Sequence, residues 1–260
     1  MSNESNKKTL IVATVLSVVC SIALAAAVTL LKPVQDKNRE LDKQRKILAA
    51  AGVMAEGKGS ASEVNAAFAK FERYLVNLDD GSFRKIELAD SYDMRKASKD
   101  PARSIALTPA QDLAKIRRRA NAADVYVLRD DAGKVKELVL PISGYGLWST
   151  LYGYLVVNND GNTVVGITFT EHAETPGLGG EVDNPKWKAL WPGKQIYDGE
   201  NKSRLGLAKS VDSSKPEAVH QVDALSGATL TSNGVSNLVH FWTGELGYQK
   251  FLATVRSGGL

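Results

Sequence analysis

From Thr9 to Leu31 the chain runs 23 residues without a charged side chain, flanked by Lys7-Lys8 and Lys32-Pro33. A helix of that length, rising about 1.5 Å per residue, reaches about 34 Å and crosses the hydrocarbon core of a bilayer. One membrane-spanning helix behind a short N-terminal tail is therefore predicted, together occupying residues 1–32. The competing reading is a cleaved secretory signal, for which Ala23 to Ala27 offer small residues at A-x-A spacing. Against it, the apolar run continues through Val28, Leu30 and Leu31 and is longer than a signal core. Either reading exports the remaining chain. The charge count at the two ends votes the other way, because Lys32, Lys37, Arg39, Lys43, Arg45 and Lys46 outnumber Lys7 and Lys8.

Beyond that segment, 260 residues at 43% hydrophobic composition suffice for one good-sized domain plus extra segments. The 33 basic residues are interleaved with 29 acidic ones and form no stripe with aromatics, so nucleic acid is not an expected partner. A single cysteine, Cys20, excludes an internal disulfide, a four-cysteine iron–sulfur site and a C-x-x-C-H haem attachment. His172, His220 and His240 lack metal-ligand spacing, and Glu171, His172 and Glu174 have no further histidine near them in sequence, so no metal is expected. Redox chemistry in this chain would need an organic cofactor.

Gln35 to Ala51 reads as a charged helix stopping at Gly52. Ser60 with Glu63 makes a capping box, and Val64, Phe68, Phe71, Leu75 and Leu78 line one side of a second helix. Ser82 to Leu107 is polar and irregular, with one short strand expected around Lys85 to Leu88. Asp112 to Ala120 is expected as a short helix carrying Arg117-Arg118-Arg119 on a solvated face. Residues 33–123 thus form a mainly helical part. From Asp124 the period changes to two. Val125 to Leu128 and Val135 to Ile142 flank Asp130-Asp131-Ala132-Gly133, and Leu151 to Val157 and Val164 to Phe169 flank Asn158 to Asn162. Two successive hairpins imply an antiparallel sheet in a second domain, residues 124–256, and an α+β class with flanking helices. A short helix over Asn184 to Trp191 presents Trp187 and Trp191 for packing on the sheet.

Three strings in this second part stand out. The glycines of Gly144-Tyr145-Gly146-Leu147-Trp148-Ser149 interrupt the strand alternation, marking a bulge or a place where a ligand nears the backbone. Glu174-Thr175-Pro176-Gly177-Leu178-Gly179 follows a strand and ends in a glycine loop, a common position for binding residues. Asp223-Ala224-Leu225-Ser226-Gly227-Ala228-Thr229 precedes Val235, Leu238, Val239, Trp242 and Leu246, which form one helix stripe. Thr229, Thr231 and Ser232 therefore open that helix. Its unpaired N–H groups and partial positive charge favour a phosphate there, one bonded to a threonine oxygen. The simpler account is that serine and threonine merely cap the helix and glycine merely permits the turn.

Taken together and in this order, the three strings resemble the FMN-binding domain found in the C subunit of the sodium-translocating NADH:quinone reductase. The similarity to the G subunit of the Rnf electron-transport complex is more distant. The N-terminal apolar segment and the total length agree as well, so the resemblance covers nearly the whole chain. It implies that a separate flavin transferase reads D-x-x-[ST]-G-A-T and joins FMN, derived from FAD, through a phosphodiester to the last threonine. On this chain that is Thr229, with Asp223, Ser226, Gly227 and Ala228 completing the motif and Thr231 the nearest alternative acceptor. It further implies Trp148 and Leu178 on the flavin ring and close contacts from Ser149, Glu174, Thr175 and Gly179. Lys209 would stand near the flavin N1 or phosphate. The implied protein is a single-pass electron-transfer subunit of the bacterial inner membrane, its body periplasmic and its partners the other subunits of the complex. Nothing in the sequence resembles a nicotinamide-binding G-x-G-x-x-G, so oxidation of NADH by this chain alone is not expected.

Overall fold

The structure, a computed structural model, describes residues 6–260 and divides at Lys43 into two compact units. Helix α1 (Asn6–Ala50) supplies all of the described first unit and contains Pro33. Its apolar side chains, Leu10, Ile11, Val15, Leu16, Ile22 and Leu24 among them, stand exposed. The helix is long and apolar enough to cross a membrane.

The second unit, Gln44–Leu260, is built on one six-stranded sheet. Its strands are β1 (Phe71–Asn77), β2 (Phe83–Ile86), β5 (Ala122–Arg129), β6 (Val135–Tyr145), β7 (Thr150–Asn158) and β8 (Val164–Glu171). They lie in the order β2-β1-β5-β6-β7-β8, and every neighbouring pair is antiparallel. The two predicted hairpins are β5–β6 and β7–β8, and β6 and β7 also pair along their length, from Glu137 with Asn158 to Tyr145 with Thr150. Alternation sends Leu138, Leu140, Ile142, Leu151 and Leu155 into a core completed by α5 (Thr229–Thr243) and α6 (Gln249–Arg256). On the other face lie Ile47 and Leu48, Phe68 of α2 (Ala61–Phe68), Phe71 and Tyr126, all buried. There Gly166 admits the backbone of Ala50 where any side chain would collide. Two small ladders complete the unit: β3 (Ser104–Ala106) with β4 (Arg118–Ala120), and β9 (Gly206–Ala208) in parallel with β10 (Gln221–Asp223). The other short helices are α3 (Met94–Lys99) and α4 (Pro185–Lys188).

Several expectations need correction. The capping box at Ser60 and Glu63 forms, but α2 ends at Phe68 and the segment from Phe71 is strand β1. Phe68 and Phe71 do stack, at 5.5 Å, across the corner between helix and strand, so a contact at i, i+3 imitates a continuing helix. Pairing with β2 on one side and β5 on the other outweighs local propensity. The strand expected at Lys85 to Leu88 begins two residues earlier, at Phe83.

No helix forms over Asp112 to Ala120. The Asp112 carboxylate instead accepts from the N–H groups of Ile116 (2.8 Å) and Arg117 (2.7 Å), and Lys115 and Arg117 take left-handed backbone conformations. The arginine run is not one solvated face, because Arg117 is exposed, Arg118 half-buried and Arg119 buried. Residues 33–123, expected to be mainly helical, contribute four strands. Near the C-terminus, α5 stops at Thr243 rather than reaching Leu246, and α6 follows it. The short helix expected over Asn184 to Trp191 shrinks to Pro185–Lys188, though Trp187 and Trp191 do pack, edge to face at 5.5 Å, within the core.

Arg119 joins distant parts of this unit. Its guanidinium donates to the Leu246 carbonyl at 2.9 Å and to the Asp79 carboxylate, tying the segment between α5 and α6 to the turn after β1. The Asp79 carboxylate is largely exposed and regains water when the guanidinium is removed, so the cost is chiefly that of the unpaired Leu246 carbonyl, about 2 kcal/mol. Arg119→Met is expected to lower the stability of the full-length chain in detergent by that amount, measured by urea unfolding and read by near-ultraviolet circular dichroism. Arg117→Ser is expected to stay within about 0.5 kcal/mol of the parent.

Candidate functional site

Helix α5 is seated against the end of β6 by two glycines. A side chain at Gly144 would run into Leu238, and one at Gly234 would meet the Tyr145 carbonyl at 2.5 Å. Trp242 fixes the same alignment by donating from Nε1 to the Ser143 carbonyl at 2.7 Å. The first turn of α5 therefore comes to rest beside the turn that joins β6 to β7.

The turn leading into α5 is held from within. The Ser232 hydroxyl accepts from the Leu225 N–H at 3.0 Å, the Ala228 N–H donates to the Leu225 carbonyl at 3.2 Å, and Gly227 takes φ +72°. Ala228 occupies the N-cap position, and no side chain caps the helix. Simple capping by serine or threonine thus does not account for this string. Thr229, Leu230 and Thr231 supply the first N–H groups of the helix, which have no intrahelical acceptor. The two threonines differ sharply in exposure: Thr229 is open to solvent, whereas Thr231 is 1% exposed.

The reason lies in Glu174. Its carboxylate is 4% exposed and accepts the Thr231 hydroxyl at 2.6 Å on Oε2. Oε1 accepts the N–H groups of Leu147 (3.1 Å), Trp148 (3.0 Å) and Ser149 (3.3 Å) from the β6–β7 turn. Burial pushes this carboxyl up, but the hydroxyl of Thr231 and the three N–H donors outweigh it and hold it below the usual range. Glycines from two of the three strings make room: a side chain at Gly146 would lie 2.6 Å from Oε1, and one at Gly179 would lie 2.8 Å from Oε2. One carboxylate therefore draws all three strings together.

Around this centre the apolar side chains point outward. Trp148 is 65% exposed, Leu230 58% and Leu178 46%. Leu178 borders the turn before α5, with a Cβ placed on Gly227 falling 3.5 Å from its Cδ2. Thr175 is exposed, and its carbonyl accepts from Leu178 (3.1 Å) and Gly180 (2.9 Å), which shapes the glycine loop. The Ser149 hydroxyl accepts from the Ala173 N–H at 2.7 Å.

Asp223 serves as a brace. Its carboxylate accepts the Val211 N–H at 2.7 Å, and its carbonyl accepts Trp187 Nε1 at 2.9 Å. Lys209 follows β9 and is exposed beside Ala224, whose N–H donates to the Ala208 carbonyl at 2.8 Å. Ser226 and Gly227 are exposed in the turn, and Ala228 is buried beneath it. His172 accepts the Glu174 N–H at 3.2 Å and pairs with Asp183 at 3.0 Å, and among the described residues no group of three or more His, Cys, Asp or Glu side chains is placed to hold a metal.

Neither the pairing of Thr231 with Glu174 nor the outward placing of Leu230 follows from the sequence reading. Leu230 does leave a trace in the sequence, being a large apolar residue that falls off the stripe of Val235, Leu238, Val239 and Trp242.

An exposed hydroxyl beside free helix N–H groups suits a phosphate, and exposed apolar side chains on rigid turns suit a planar ring. A family model described as FMN-binding domain matches residues 146–244, from the β6–β7 turn to just past the end of α5. The C subunit of the Na(+)-translocating NADH-quinone reductase of Pseudomonas aeruginosa is 51% identical over 259 residues, covering 99% of this chain and 98% of the relative. The corresponding protein of Yersinia pestis, of the same name, is 47% identical over 261 residues, covering 100% and 96%. The crystal structure of Shewanella oneidensis NqrC matches with a TM-score of 0.74 at 40% identity, over 82% of this chain and 96% of that one. The crystal structure of the C subunit from Parabacteroides distasonis matches with a TM-score of 0.63 at 30% identity, over 85% and 96%. The chain belongs to the NqrC family, the C subunits of Na(+)-translocating NADH-quinone reductases, and carries an FMN-binding domain.

Proposed function

We propose that this chain is the electron-transfer subunit of a sodium-pumping NADH:quinone oxidoreductase, carrying FMN in phosphodiester linkage to Thr229. The observation that carries the reading is the contrast between the two threonines of one helical turn: the Thr229 side chain is exposed at an uncapped N-terminus, and that of Thr231 is buried and engaged. In the attachment step the Thr229 oxygen bonds to the flavin-side phosphorus of FAD, the bond to AMP breaks, and the hydroxyl proton is released with no change of oxidation state. A flavin transferase brings the FAD. The N–H groups at the start of α5 receive the remaining phosphate charge.

Once attached, FMN supplies the electron exchange, and the chain's side chains place it. Trp148 and Leu178 give apolar walls, the loop through Thr175 and Gly179 brings backbone close, and Lys209 adds a cation near the start of the attachment string. Ser226, Gly227 and Ala228 form the turn that presents Thr229, and Asp223 braces it. Ser149 and Glu174 hold the facing turn. The N-terminal helix anchors the protein in the bacterial inner membrane with its body on the periplasmic side, where the transferase works, and the other subunits of the complex bring NADH and quinone chemistry.

Co-expressed with the transferase, the wild-type chain is expected to give a fluorescent band on a denaturing gel and a tryptic peptide from the Asp223 region heavier by one FMN ester. Thr229→Ala is expected to abolish both. A Thr229→Ala band that keeps its flavin refutes the acceptor, and a non-fluorescent wild-type band refutes covalent attachment in favour of flavin held reversibly. In intact spheroplasts the body is expected to be cut by added protease, and protection would place it in the cytoplasm.

A further inference from the structure

We infer that Glu174 is the positioning residue of this site: it locks the turn carrying Trp148 against the first turn of α5 and, by engaging Thr231, leaves Thr229 as the free hydroxyl of that turn. The inference rests on the flavin-ester reading above and extends it to a side chain that acts through its neighbours.

The three N–H groups of Leu147, Trp148 and Ser149 are consecutive and all converge on one oxygen, Oε1. A turn held by three consecutive donors has little freedom to swing, so the exposed Trp148 indole is borne on a fixed mount. The other oxygen takes the Thr231 hydroxyl, so the same carboxylate reaches the helix two residues from Thr229. Spacing between indole and acceptor is thus set through one side chain. Glycine at 146 and at 179 is what lets that side chain occupy the junction. A buried carboxylate with every one of these donors satisfied is costly to disturb, since losing it leaves three N–H groups and a hydroxyl without their acceptor.

The second consequence concerns choice of acceptor. Thr229 and Thr231 lie two residues apart on a helix, about 200° around its axis, so they face opposite sides. Glu174 stands on the side of Thr231. A hydroxyl that donates into a buried carboxylate is shielded from an incoming phosphorus, and the hydroxyl on the open side is not.

The test uses the full chain in detergent, labelled with 5-fluorotryptophan, before and after incubation with purified flavin transferase and FAD. Four tryptophans give separate fluorine signals, that of Trp148 being assigned with Trp148→Phe. In the flavin-free chain, Glu174→Ala is expected to shift or broaden the Trp148 signal while leaving those of Trp187, Trp191 and Trp242 in place. Its rate of flavin incorporation at Thr229 is expected to fall about tenfold. Glu174→Gln keeps an oxygen for the three N–H donors and is expected to restore the Trp148 signal and at least half the rate.

An unmoved Trp148 signal in Glu174→Ala, or wild-type incorporation by it, overturns the inference, as does failure of glutamine to rescue. Should Glu174→Ala lose all four signals through unfolding, Glu174→Asp takes its place: one methylene shorter, it is expected to give the alanine phenotype, and wild-type behaviour from it overturns the inference. A wild-type chain that takes no flavin at Thr229 sinks the functional reading instead, and the fluorine signals of the flavin-free protein still decide the role of Glu174.

Discussion

A single buried carboxylate organises the functional end of this molecule. Glu174 gathers three backbone N–H groups from the β6–β7 turn and a hydroxyl from α5, drawing together segments that lie 25 to 57 residues from it along the chain. Burying an ionised group is costly unless it is fully hydrogen-bonded, and here four donors make the charged form the stable one. The glycine content of the surrounding strings follows from that demand. Gly146 and Gly179 leave the space that the carboxylate fills, so the glycines that look like loop flexibility are sites of close packing.

The sheet prepares this meeting. Its longest hairpin, β6–β7, ends at the turn that Glu174 grips, and β8 leads directly into the loop that carries Glu174. Helix α5 reaches the same place because Gly144 and Gly234 allow helix and strand to approach until backbone touches side chain. The core beneath, with Trp242 and Leu238 against β6, holds the arrangement rigid, so the site is assembled by packing rather than by the loops themselves.

Legibility in the sequence follows the range of the interactions. The apolar N-terminal run, the two hairpins with their Asp-Asp-Ala-Gly and Asn-Asn-Asp-Gly-Asn turns, the Ser60 capping box and the start of α5 at Thr229 are all written in residues close together, and each is present in the structure. Where long-range pairing decides the outcome, local pattern misleads. Phe68 and Phe71 stack as helical neighbours do, yet β1 exists because β2 and β5 flank it. Arg119 reads as one member of a solvated basic run, and its burial depends on a carbonyl at Leu246, 127 residues away. At the site, the three strings are visible as strings, and their resemblance to a known family indicates that they belong together. That Glu174 is what joins them, and that Thr231 is spent in doing so, requires a contact across 57 residues that periodicity has no means of reporting.

Thr229 lies exposed on the outside of the domain. In the proposed linkage a group esterified there would sit at the surface of the domain, where a neighbouring carrier could approach it. Such mounting would exchange shelter for access, since a dissolved oxidant such as dioxygen would reach the same exposed group.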